Sequence, residues 1–338
     1  MNANQWKDRL AFASKLNPGK LINAALVFGS YLYSRWTGVP VSKGLPLSLS
    51  LEPTTACNLR CPECPSGLRS FTRPTGNLKD TLFDKVLDEV APHVIAFTFY
   101  FQGEPFIHSG LCSMIEKAHK KGLYTIVSTN GHFLDQEQCE EIVRSGLDRL
   151  IVSVDGASQE IYETYRKGGQ LTQVTSGIER LIQTRARLKS RKPYLILQHI
   201  VFKHNEDQLA EIKALASKLK VDKLELKTAQ VYDYEEGSEL IPETEVYARY
   251  QKKESGGFVI KNRLLNHCWK MWQGCVICWD GRVVPCCFDK DARHQMGNVS
   301  EERLAVIWRS PDYLKFRQRI LENRKGIDIC TNCTEGGF

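Results

Sequence analysis

The 338-residue chain lacks features that would tie it to a membrane interior, to secretion or to nucleic acid. Its longest nearly apolar run, residues 21–33, is shorter than the roughly 20 residues that cross a bilayer. The first 16 residues are polar and mixed, unlike the apolar core of a signal peptide. The formal net charge of +7 is spread along the chain without a basic run, and there is no repeat or low-complexity tract. These absences predict a cytoplasmic protein that does not bind nucleic acid.

The apolar run at residues 21–33 has basic and aromatic flanks, which are Lys15, Lys20, Arg35 and Trp36. A short apolar helix with such flanks is typical of a helix that lies at a membrane surface. The same pattern also occurs in a helix that packs on its own domain. We expect the packed helix, and a weak membrane-surface contact is the alternative.

Cysteine, in contrast, is abundant, since the chain has twelve. A disulfide framework suits a small secreted chain rather than one of this size, so these thiols indicate metal binding. Cys57, Cys61 and Cys64 form a C-x3-C-x2-C loop. Three thiolates leave one iron of a four-iron cluster without a protein ligand, and an open coordination position is where a metal centre does chemistry. A zinc loop is the alternative reading of the same residues.

Strand-like and helix-like segments alternate from residue 45 onward. Nearly continuous apolar runs, typical of parallel strands buried on both faces, predict strands at residues 47–52, 95–101, 123–128, 150–155, 194–202 and 223–228. Helical spacing of apolar residues predicts crossover helices at residues 81–90, 111–120, 136–144, 174–188 and 207–219. This order predicts an α/β fold, a partial (β/α)6 parallel barrel, followed by a small C-terminal Cys-rich α+β module.

The same pattern divides the chain into three regions. We expect an N-terminal helical extension (1–44), the barrel core (45–231), and a junction with the Cys-rich module (232–338). In parallel α/β folds the chemistry lies at the carboxyl ends of the strands. The loop with Cys57, Cys61 and Cys64 directly follows the first predicted strand. This rule therefore predicts a site at the cysteine loop.

A C-x3-C-x2-C loop after the first strand of a six-fold βα unit resembles the radical S-adenosylmethionine (SAM) superfamily. The resemblance covers residues 45–228 and continues into the C-terminal part. It implies that Cys57, Cys61 and Cys64 hold a [4Fe-4S] cluster whose unique iron is chelated by SAM. It also implies reductive cleavage of SAM to a 5′-deoxyadenosyl radical that abstracts hydrogen from a substrate. A flavodoxin- or ferredoxin-like protein is the implied reductant.

Short polar segments at later strand ends resemble further parts of the family pattern. They imply SAM contacts from Gly103, Glu104, Ser128, Asn130, Ser153, Asp155 and Arg166. The fork geometry of Arg166 suits the SAM carboxylate. Two positions depart from the pattern. Gln102 replaces the first glycine of a Gly-Gly-Glu-Pro segment, and Glu63 stands where an aromatic residue often covers the adenine. The adenine contact must therefore come from elsewhere.

The C-terminal cysteines resemble the SPASM/twitch modules that bind auxiliary clusters in many radical SAM enzymes. The resemblance implies one auxiliary [4Fe-4S] cluster with four protein ligands, Cys268, Cys286, Cys330 and Cys333. Residues 279–282 predict a hairpin turn, and a helical segment is expected near residues 303–322. Because the sequence ends soon after Cys333, the shorter twitch form with one cluster is expected.

Other assignments of these thiols stay open. Structural zinc could occupy the same four thiolates, and Cys278 could replace Cys268 as a ligand. Cys275 and Cys287 are left over. The two cysteines not yet discussed, Cys112 and Cys139, lie in helical segments, and we expect them to pack in the core.

A cluster with four protein ligands cannot readily bind substrate, so we expect it to accept an electron. The expected reaction is the oxidation of a small sugar-like or other alcohol or amine. A peptide-modifying maturase is the alternative, and a non-catalytic zinc or iron–sulfur protein is a third. Such an oxidation needs a base, which the sequence does not identify. The candidates are Gln198, His199, Glu225, Lys227, Tyr232, Asp233, Glu235 and Arg282.

Overall fold

The computed structural model describes residues 3–336, which form two compact units. The first unit comprises the chain up to Arg9, Cys57–Ser70 and Ile126–Asn262. The second comprises Leu10–Ala56, Phe71–Thr125 and the chain from Arg263 onward. Each unit combines separate segments of the sequence. The region boundaries expected after residues 44 and 231 stay a prediction.

Strands and helices alternate through both units. The strands are β1 (Ser48–Leu51), β2 (Ala96–Thr98), β3 (Tyr124–Thr129), β4 (Arg149–Ser153), β5 (Tyr194–Val201), β6 (Lys223–Thr228), β7 (Tyr250–Lys252), β8 (Phe258–Ile260), β9 (Gly274–Ile277), β10 (Arg282–Val284) and β11 (Gly297–Asn298). The α-helices are α1 (Ala3–Ala13), α2 (Pro18–Thr37), α3 (Pro65–Leu68), α4 (Asp80–Val90), α5 (Leu111–Lys120), α6 (Gln136–Arg144), α7 (Gln159–Tyr165), α8 (Leu171–Arg187), α9 (Leu209–Lys218), α10 (Lys270–Gln273), α11 (Leu304–Trp308) and α12 (Pro311–Asn323).

Parallel pairing dominates the core strands of each unit. In the second unit β1 pairs in parallel with β2 on one side and with β9 on the other, so that Ser48 lies opposite both Ala96 and Gly274. β10 pairs antiparallel with both β9 and β11, which confirms the predicted hairpin turn. In the first unit β3, β4, β5 and β6 pair in parallel in that order. The predicted strands and the α/β fold class are confirmed.

Three segments differ from the sequence prediction. The helix expected near residues 303–322 is two helices, because Ser310 accepts the amide of Tyr313 as a new N-cap and Pro311 begins α12. Residues 232–267, expected to be irregular, contain the antiparallel hairpin of β7 and β8. Strand β6 is half-buried or exposed along its length rather than buried on both faces, since lysines and a glutamate alternate with its leucines.

Each unit has its own aromatic core. In the second unit the fully buried rings of Phe83, Phe97 and Phe99 lie with centroids 5.4 to 6.3 Å apart. In the first unit the rings of Tyr165 and Phe202 lie 4.2 Å apart. Leu59 and Cys61 of the cysteine loop pack into the same cluster. The cysteine loop is therefore anchored by hydrophobic burial.

Helix α2 packs on the second unit through a mostly polar face. The Asn17 side chain accepts the Lys20 amide as N-cap, and Gly38, with a φ of 74°, ends the helix. The buried residues are Lys20, Asn23, Val27, Ser30, Tyr31 and Ser34. The expectation that this helix packs on its own domain is confirmed, and the face that packs is the one that carries these buried residues. Among residues 3–336 we find no helix with the length and apolarity to cross a bilayer.

Candidate functional site

The cysteine loop of the first unit is a compact turn with three thiols. Cys61 is buried, whereas Cys57 and Cys64 are half-buried. The amide of Leu59 donates to the Sγ of Cys57 at 3.5 Å. Gly67 lets α3 lie directly on the loop, because a Cβ there would come within 2.6 Å of the backbone N and O of Cys61. The predicted cluster ligands are therefore brought together on one short turn.

Arg166 lies beside the cysteine loop and is held there by Asp155. Its Nε donates to Oδ2 of Asp155 at 2.6 Å, and its Nη1 lies 4.0 Å from the Sγ of Cys61. Asp155 is fully buried, and its Oδ1 accepts the amide of Ile200 at 2.7 Å. Burial lowers the pKa of Arg166, but the charges of Asp155 and Cys61 outweigh it and raise that pKa well above its ordinary value. The guanidinium is thus a fixed positive charge next to the thiols.

Asn130, at the end of β3, also reaches the loop. Its Nδ2 donates to Oδ1 of Asn58 at 2.7 Å and lies 3.9 Å from the Sγ of Cys57. Its Oδ1 accepts the amide of His132 at 3.0 Å, and Nε2 of His132 accepts the amide of Gln170 at 2.9 Å. His132 was not among the residues predicted from the sequence. The partner that fixes its ring is 38 residues away in the sequence, so no local pattern could reveal it.

Strands β3 to β6 carry further predicted site residues of the first unit on one face of their sheet. Ile126, Ile151, Tyr194 and Ile196 pack together on that face. Strand alternation puts further side chains on the same face, which are Ser128, Ser153, Gln198, Ile200, Glu225 and Lys227. Ile200 packs against the cluster that contains Cys61, so this face looks toward the cysteine loop. Among the described residues, no hydrogen bond joins Ser128 or Ser153 to that loop.

The strand faces also separate the candidate bases. His199 lies on the opposite face of β5, where it is fully buried with Nδ1 2.8 Å from the carbonyl oxygen of Val154. Glu225 lies between Lys223 and Lys227, at 3.4 and 3.1 Å. Burial raises the pKa of Glu225, but hydrogen bonds and charge from the two lysines outweigh it and lower the pKa overall. Glu225 is therefore an ionised carboxylate on the face toward the cysteine loop.

The predicted cofactor segment after β2 lies in the second unit. The amide of Glu104 donates to the carbonyl oxygen of Ala56, the residue before the cysteine loop, at 2.7 Å. Gly103 has a φ of 76°, and a Cβ there would collide with the carbonyl oxygens of Thr54 and Ala56. Gln102 and Glu104 are buried, and within residues 3–336 the Oε1 of Gln102 has no hydrogen-bond partner. This buried acceptor suits a ligand that carries an amine donor.

Glu52, directly after β1, forms a buried ion pair with Arg73 that was not predicted from the sequence. The two Nη atoms of Arg73 donate to the two carboxylate oxygens of Glu52 at 2.8 and 2.5 Å. The amide of Trp279 also donates to Glu52, at 3.3 Å. This pair ties the end of β1 to the C-terminal hairpin within the second unit. An acidic residue before the cysteine loop is visible in the sequence, but its distant partners are not.

Three of the cysteines expected to hold the auxiliary cluster, Cys268, Cys330 and Cys333, lie around the buried Arg324 in the second unit. The fourth, Cys286, lies near Cys268 and Cys287. Nη2 of Arg324 donates to the Sγ of Cys333 at 3.4 Å, and Nη1 donates to the carbonyl oxygen of His267 at 2.9 Å. Burial raises the pKa of Cys330 to about 11. Arg324 opposes this rise, and the neighbouring Cys268 and Cys333 add to it. Arg324 was not singled out from the sequence.

Of the remaining C-terminal cysteines, Cys278 lies in other surroundings, whereas Cys275 and Cys287 line the same pocket as Cys286. Cys278 is fully buried in a separate apolar cluster, and burial first and the nearby Glu52 second raise its pKa. This position does not support Cys278 as a substitute for Cys268. Burial raises the pKa of Cys275, on β9, to about 12. Cys287 shares a hydrogen bond with Cys286.

The two helical cysteines differ from each other. Cys139 is fully buried on α6, with its Sγ 4.0 Å from the carbonyl oxygen of Gly177, which confirms its expected place in the core. Cys112 on α5 is half-buried. Neither thiol lies in the segments that form the two candidate metal sites.

These arrangements fit the cofactors that the sequence implies. Iron–sulfur clusters take thiolate ligands and are tuned by hydrogen bonds to sulfur, and N–H donors from Leu59 and Arg324 point at thiols of the two sites. In the first unit the fixed guanidinium of Arg166 suits a carboxylate, and in the second unit the unpaired acceptor of Gln102 suits an amine. In the described part of the chain, no three His, Cys, Asp or Glu side chains are spaced to hold a single metal ion.

Comparison with protein families identifies the class. The model of the radical SAM superfamily matches residues 51–216, and the model of the SPASM iron–sulfur cluster-binding domain matches residues 268–334. The chain belongs to the radical SAM superfamily and carries a C-terminal SPASM domain. It is a radical SAM enzyme, and its cofactors are SAM, a [4Fe-4S] cluster and an auxiliary iron–sulfur centre.

Individual relatives agree with this assignment. The chain is 29% identical over 318 residues to the tungsten-containing aldehyde ferredoxin oxidoreductase cofactor-modifying protein of Pyrococcus furiosus, covering 85% of this chain and 86% of the relative. The structure of BtrN in complex with AdoMet and 2-DOIA is similar with a TM-score of 0.53 and 18% identity, covering 87% and 95% of the two chains. Streptococcus suis SuiB bound to SAM gives a TM-score of 0.64 and 14% identity, covering 92% and 76%. At these identities the two structures show a shared fold.

Proposed function

We propose that this enzyme oxidises a small alcohol or amine by two electrons and passes one of them to a single auxiliary [4Fe-4S] cluster. One observation carries the proposal. Cys268, Cys330 and Cys333 lie beside the buried Arg324 and Cys286 lies near Cys268, so that these four thiols would complete the ligand set of one cluster in the second unit. A fully ligated cluster has no free position for substrate, which leaves electron transfer as its chemistry. The separate burial of Cys278 supports a ligand set that does not include it.

The residues of the first unit have distinct proposed roles. The thiolates of Cys57, Cys61 and Cys64 would hold the first cluster, and Arg166 would bind the SAM carboxylate in the orientation that Asp155 fixes. Since both oxygens of Asp155 are engaged by Arg166 and Ile200, we assign it to positioning rather than to cofactor contact. Asn130 would hold the loop through Asn58. When bound, these cofactors supply a hydrogen-abstracting radical and a one-electron acceptor.

Four other residues predicted to contact the cofactor lie at or after strand ends. Within the second unit Gly103 permits the close approach of the β2 segment to Ala56, and Glu104 and Gln102 would face an amine donor. Ser128 and Ser153, on the face toward the loop, would contact the ribose or the substrate. A flavodoxin- or ferredoxin-like protein would supply the electron for SAM cleavage, and twelve thiols favour a reducing, cytoplasmic location.

Glu225 is our candidate for the base. Oxidation of a CH–OH group to C=O releases one hydrogen atom, one proton and one electron, so the chain must take up the proton. Glu225 is ionised and lies on the face toward the cysteine loop, whereas His199 lies on the other face. A Glu225→Gln enzyme should therefore still abstract hydrogen but form oxidised product about a hundredfold more slowly.

The test follows 5′-deoxyadenosine and oxidised product together in the anaerobically reconstituted enzyme, with a panel of polyols and amino sugars. We expect equimolar 5′-deoxyadenosine and ketone or imine, and an electron paramagnetic resonance signal from the reduced auxiliary cluster after one turnover. The Cys57→Ala/Cys61→Ala/Cys64→Ala variant is the control that removes SAM cleavage. A product formed with no net loss of electrons, and no reduced auxiliary cluster, would contradict the proposal.

A second candidate substrate comes from the 29% identical relative, whose name describes a cofactor-modifying protein. The substrate of this chain would then be the organic cofactor of another enzyme rather than a free sugar. Mass spectrometry of the extracted cofactor of a tungsten enzyme, before and after incubation, tests this candidate. A peptide substrate is the remaining alternative, since SuiB has been solved bound to the precursor peptide SuiA.

A further inference from the structure

Helix α2 is amphipathic in the reverse of the usual sense. Helices on protein surfaces normally turn their apolar stripe inward and their polar side to water. Here the inward side carries a lysine, an asparagine and two serines. The exposed positions from residue 21 to residue 36 are Leu21, Ile22, Ala25, Leu26, Phe28, Gly29, Leu32, Tyr33, Arg35 and Trp36. Ile22 is 63% exposed and Trp36 87% exposed. The water-facing side of α2 is therefore almost entirely apolar.

Hydrogen bonds on the buried side hold α2 in this orientation. Nζ of Lys20 donates to the carbonyl oxygen of Gly122 at 2.8 Å. The amide group of Asn23 bonds both the N and the O of Leu45, at 2.8 and 2.9 Å. Ser34 accepts the amide of the segment that follows the helix at 2.8 Å. Rotation of α2 to hide its apolar side would leave these buried polar groups unpaired, at a cost that hydrophobic burial would have to exceed.

The charges around α2 indicate what covers this apolar side. Residues 9–51 contain no aspartate or glutamate but five lysines and arginines. Arg35 lies at the edge of the apolar side, and Lys43, whose amide bonds Ser30 of the buried side, is exposed. Tyr33 and Trp36 lie near the end of the helix, and such aromatic side chains favour the membrane–water interface. A second copy of the chain would bring like charges together with no carboxylate in this segment to pair with them.

We propose that α2 binds the surface of an anionic lipid bilayer, with the helix lying in the plane of the headgroups. The apolar side would enter the boundary between headgroups and acyl chains, while Arg35 and Lys43 pair with lipid phosphates. The polar side stays bonded to the second unit, so the enzyme binds lipid without refolding. This inference is independent of the proposed oxidation.

The test is co-sedimentation of the anaerobic, cluster-loaded full chain with large vesicles of phosphatidylcholine alone or equimolar with phosphatidylglycerol. We expect binding to the anionic vesicles that weakens with salt. Ile22→Gln/Leu32→Gln/Trp36→Gln should lower the partition coefficient more than about tenfold. Glutamine has nearly the helix propensity of leucine, so circular dichroism and iron content should not change. The matched control, Val246→Gln/Leu265→Gln/Val306→Gln, removes exposed apolar residues elsewhere and should bind like the wild type.

A second variant tests the charges without touching the apolar side. Arg35→Gln/Lys43→Gln should lower binding to the anionic vesicles by about fivefold per charge and leave binding to neutral vesicles unchanged. Wild-type protein that stays in the supernatant with both vesicle types would overturn the proposal. So would a wild-type dimer, seen by analytical ultracentrifugation without lipid, that the triple variant converts to a monomer, because the apolar side would then be a subunit interface.

Discussion

Nη2 of Arg324 lies 3.4 Å from the Sγ of Cys333 and within 2.7 Å of the carbonyl oxygen of Glu335. A guanidinium that donates to a cluster thiolate stabilises the more negative, reduced state of the cluster. The same group neutralises part of the charge that four thiolates would bring into a buried site. Arg324 therefore links the packing of the C-terminal segment to the redox properties of the auxiliary centre.

Replacing Arg324 tests this link. In Arg324→Gln we expect the midpoint potential of the auxiliary cluster, measured by redox titration with electron paramagnetic resonance, to become more negative. The lost charged hydrogen bond corresponds to about 1.5–3 kcal/mol. Lys325→Gln is the control, because it removes an exposed positive charge from the neighbouring position. Equal potentials in wild type and Arg324→Gln would show that the arginine has only a packing role.

Cysteine substitutions test whether Cys268 or Cys278 is a ligand of the auxiliary cluster. Cys268→Ala should reduce the iron content of the reconstituted enzyme from about eight to about four atoms per chain. Cys278→Ala should keep about eight, because Cys278 packs among apolar residues and lies near Glu52. The measurement is iron and sulfide analysis after anaerobic reconstitution. Loss of a cluster in Cys278→Ala with retention in Cys268→Ala would reverse the ligand assignment.

Asp155→Asn should weaken SAM binding through Arg166. Removing the carboxylate frees the arginine and leaves a buried charge without its partner, which costs about 3–5 kcal/mol of stability. We expect the dissociation constant for SAM, measured by anaerobic equilibrium dialysis, to rise at least about tenfold.

The matched control for that variant is Asp222→Asn. It breaks another Arg–Asp pair of the first unit, in which Nη1 of Arg185 lies 2.6 Å from Oδ2 of Asp222 at the amino end of β6. This variant should also unfold more easily yet bind SAM normally. If both variants lose SAM affinity to the same extent, general destabilisation rather than the position of Arg166 is responsible.

Gly103→Ala should destabilise the protein more than Gly122→Ala. Both glycines have a φ near 75°, so alanine costs about 1–2 kcal/mol of backbone strain at either position. Only at Gly103 would the new Cβ also collide with carbonyl oxygens, which adds about 1–3 kcal/mol, whereas the space around Gly122 is open. Urea unfolding of the two variants measures the difference. Equal free energies of unfolding would mean that the β2 segment can move away from Ala56.

The sequence predicted the features that depend on local pattern. Nearly continuous apolar runs located β1 to β6, and the spacing of Cys57, Cys61 and Cys64 located the cluster loop. The missed features depend on partners that are distant in the sequence. Arg73 pairs with Glu52, and Arg324 joins Cys333 to His267, yet nothing near either arginine distinguishes it from a surface residue.

Helix α2 shows the limit of periodicity most directly. Its apolar stripe predicts a buried side, and the helix is indeed packed on the second unit. The polar stripe is nevertheless the one that packs, because Lys20, Asn23 and Ser34 each find a backbone partner. Periodicity identifies the two sides of a helix, and only the surrounding backbone decides which of them is buried.

The parallel pairing of Ser48 with Gly274 has a consequence for how this chain is made. A ribosome releases β1 early, whereas β9, the strand that completes this side of β1, emerges only in the last quarter of synthesis. Until then the nascent chain presents an open strand edge of the kind that seeds aggregation. Cells that overproduce this enzyme should therefore benefit from chaperones that shield nascent chains and from slow induction at low temperature.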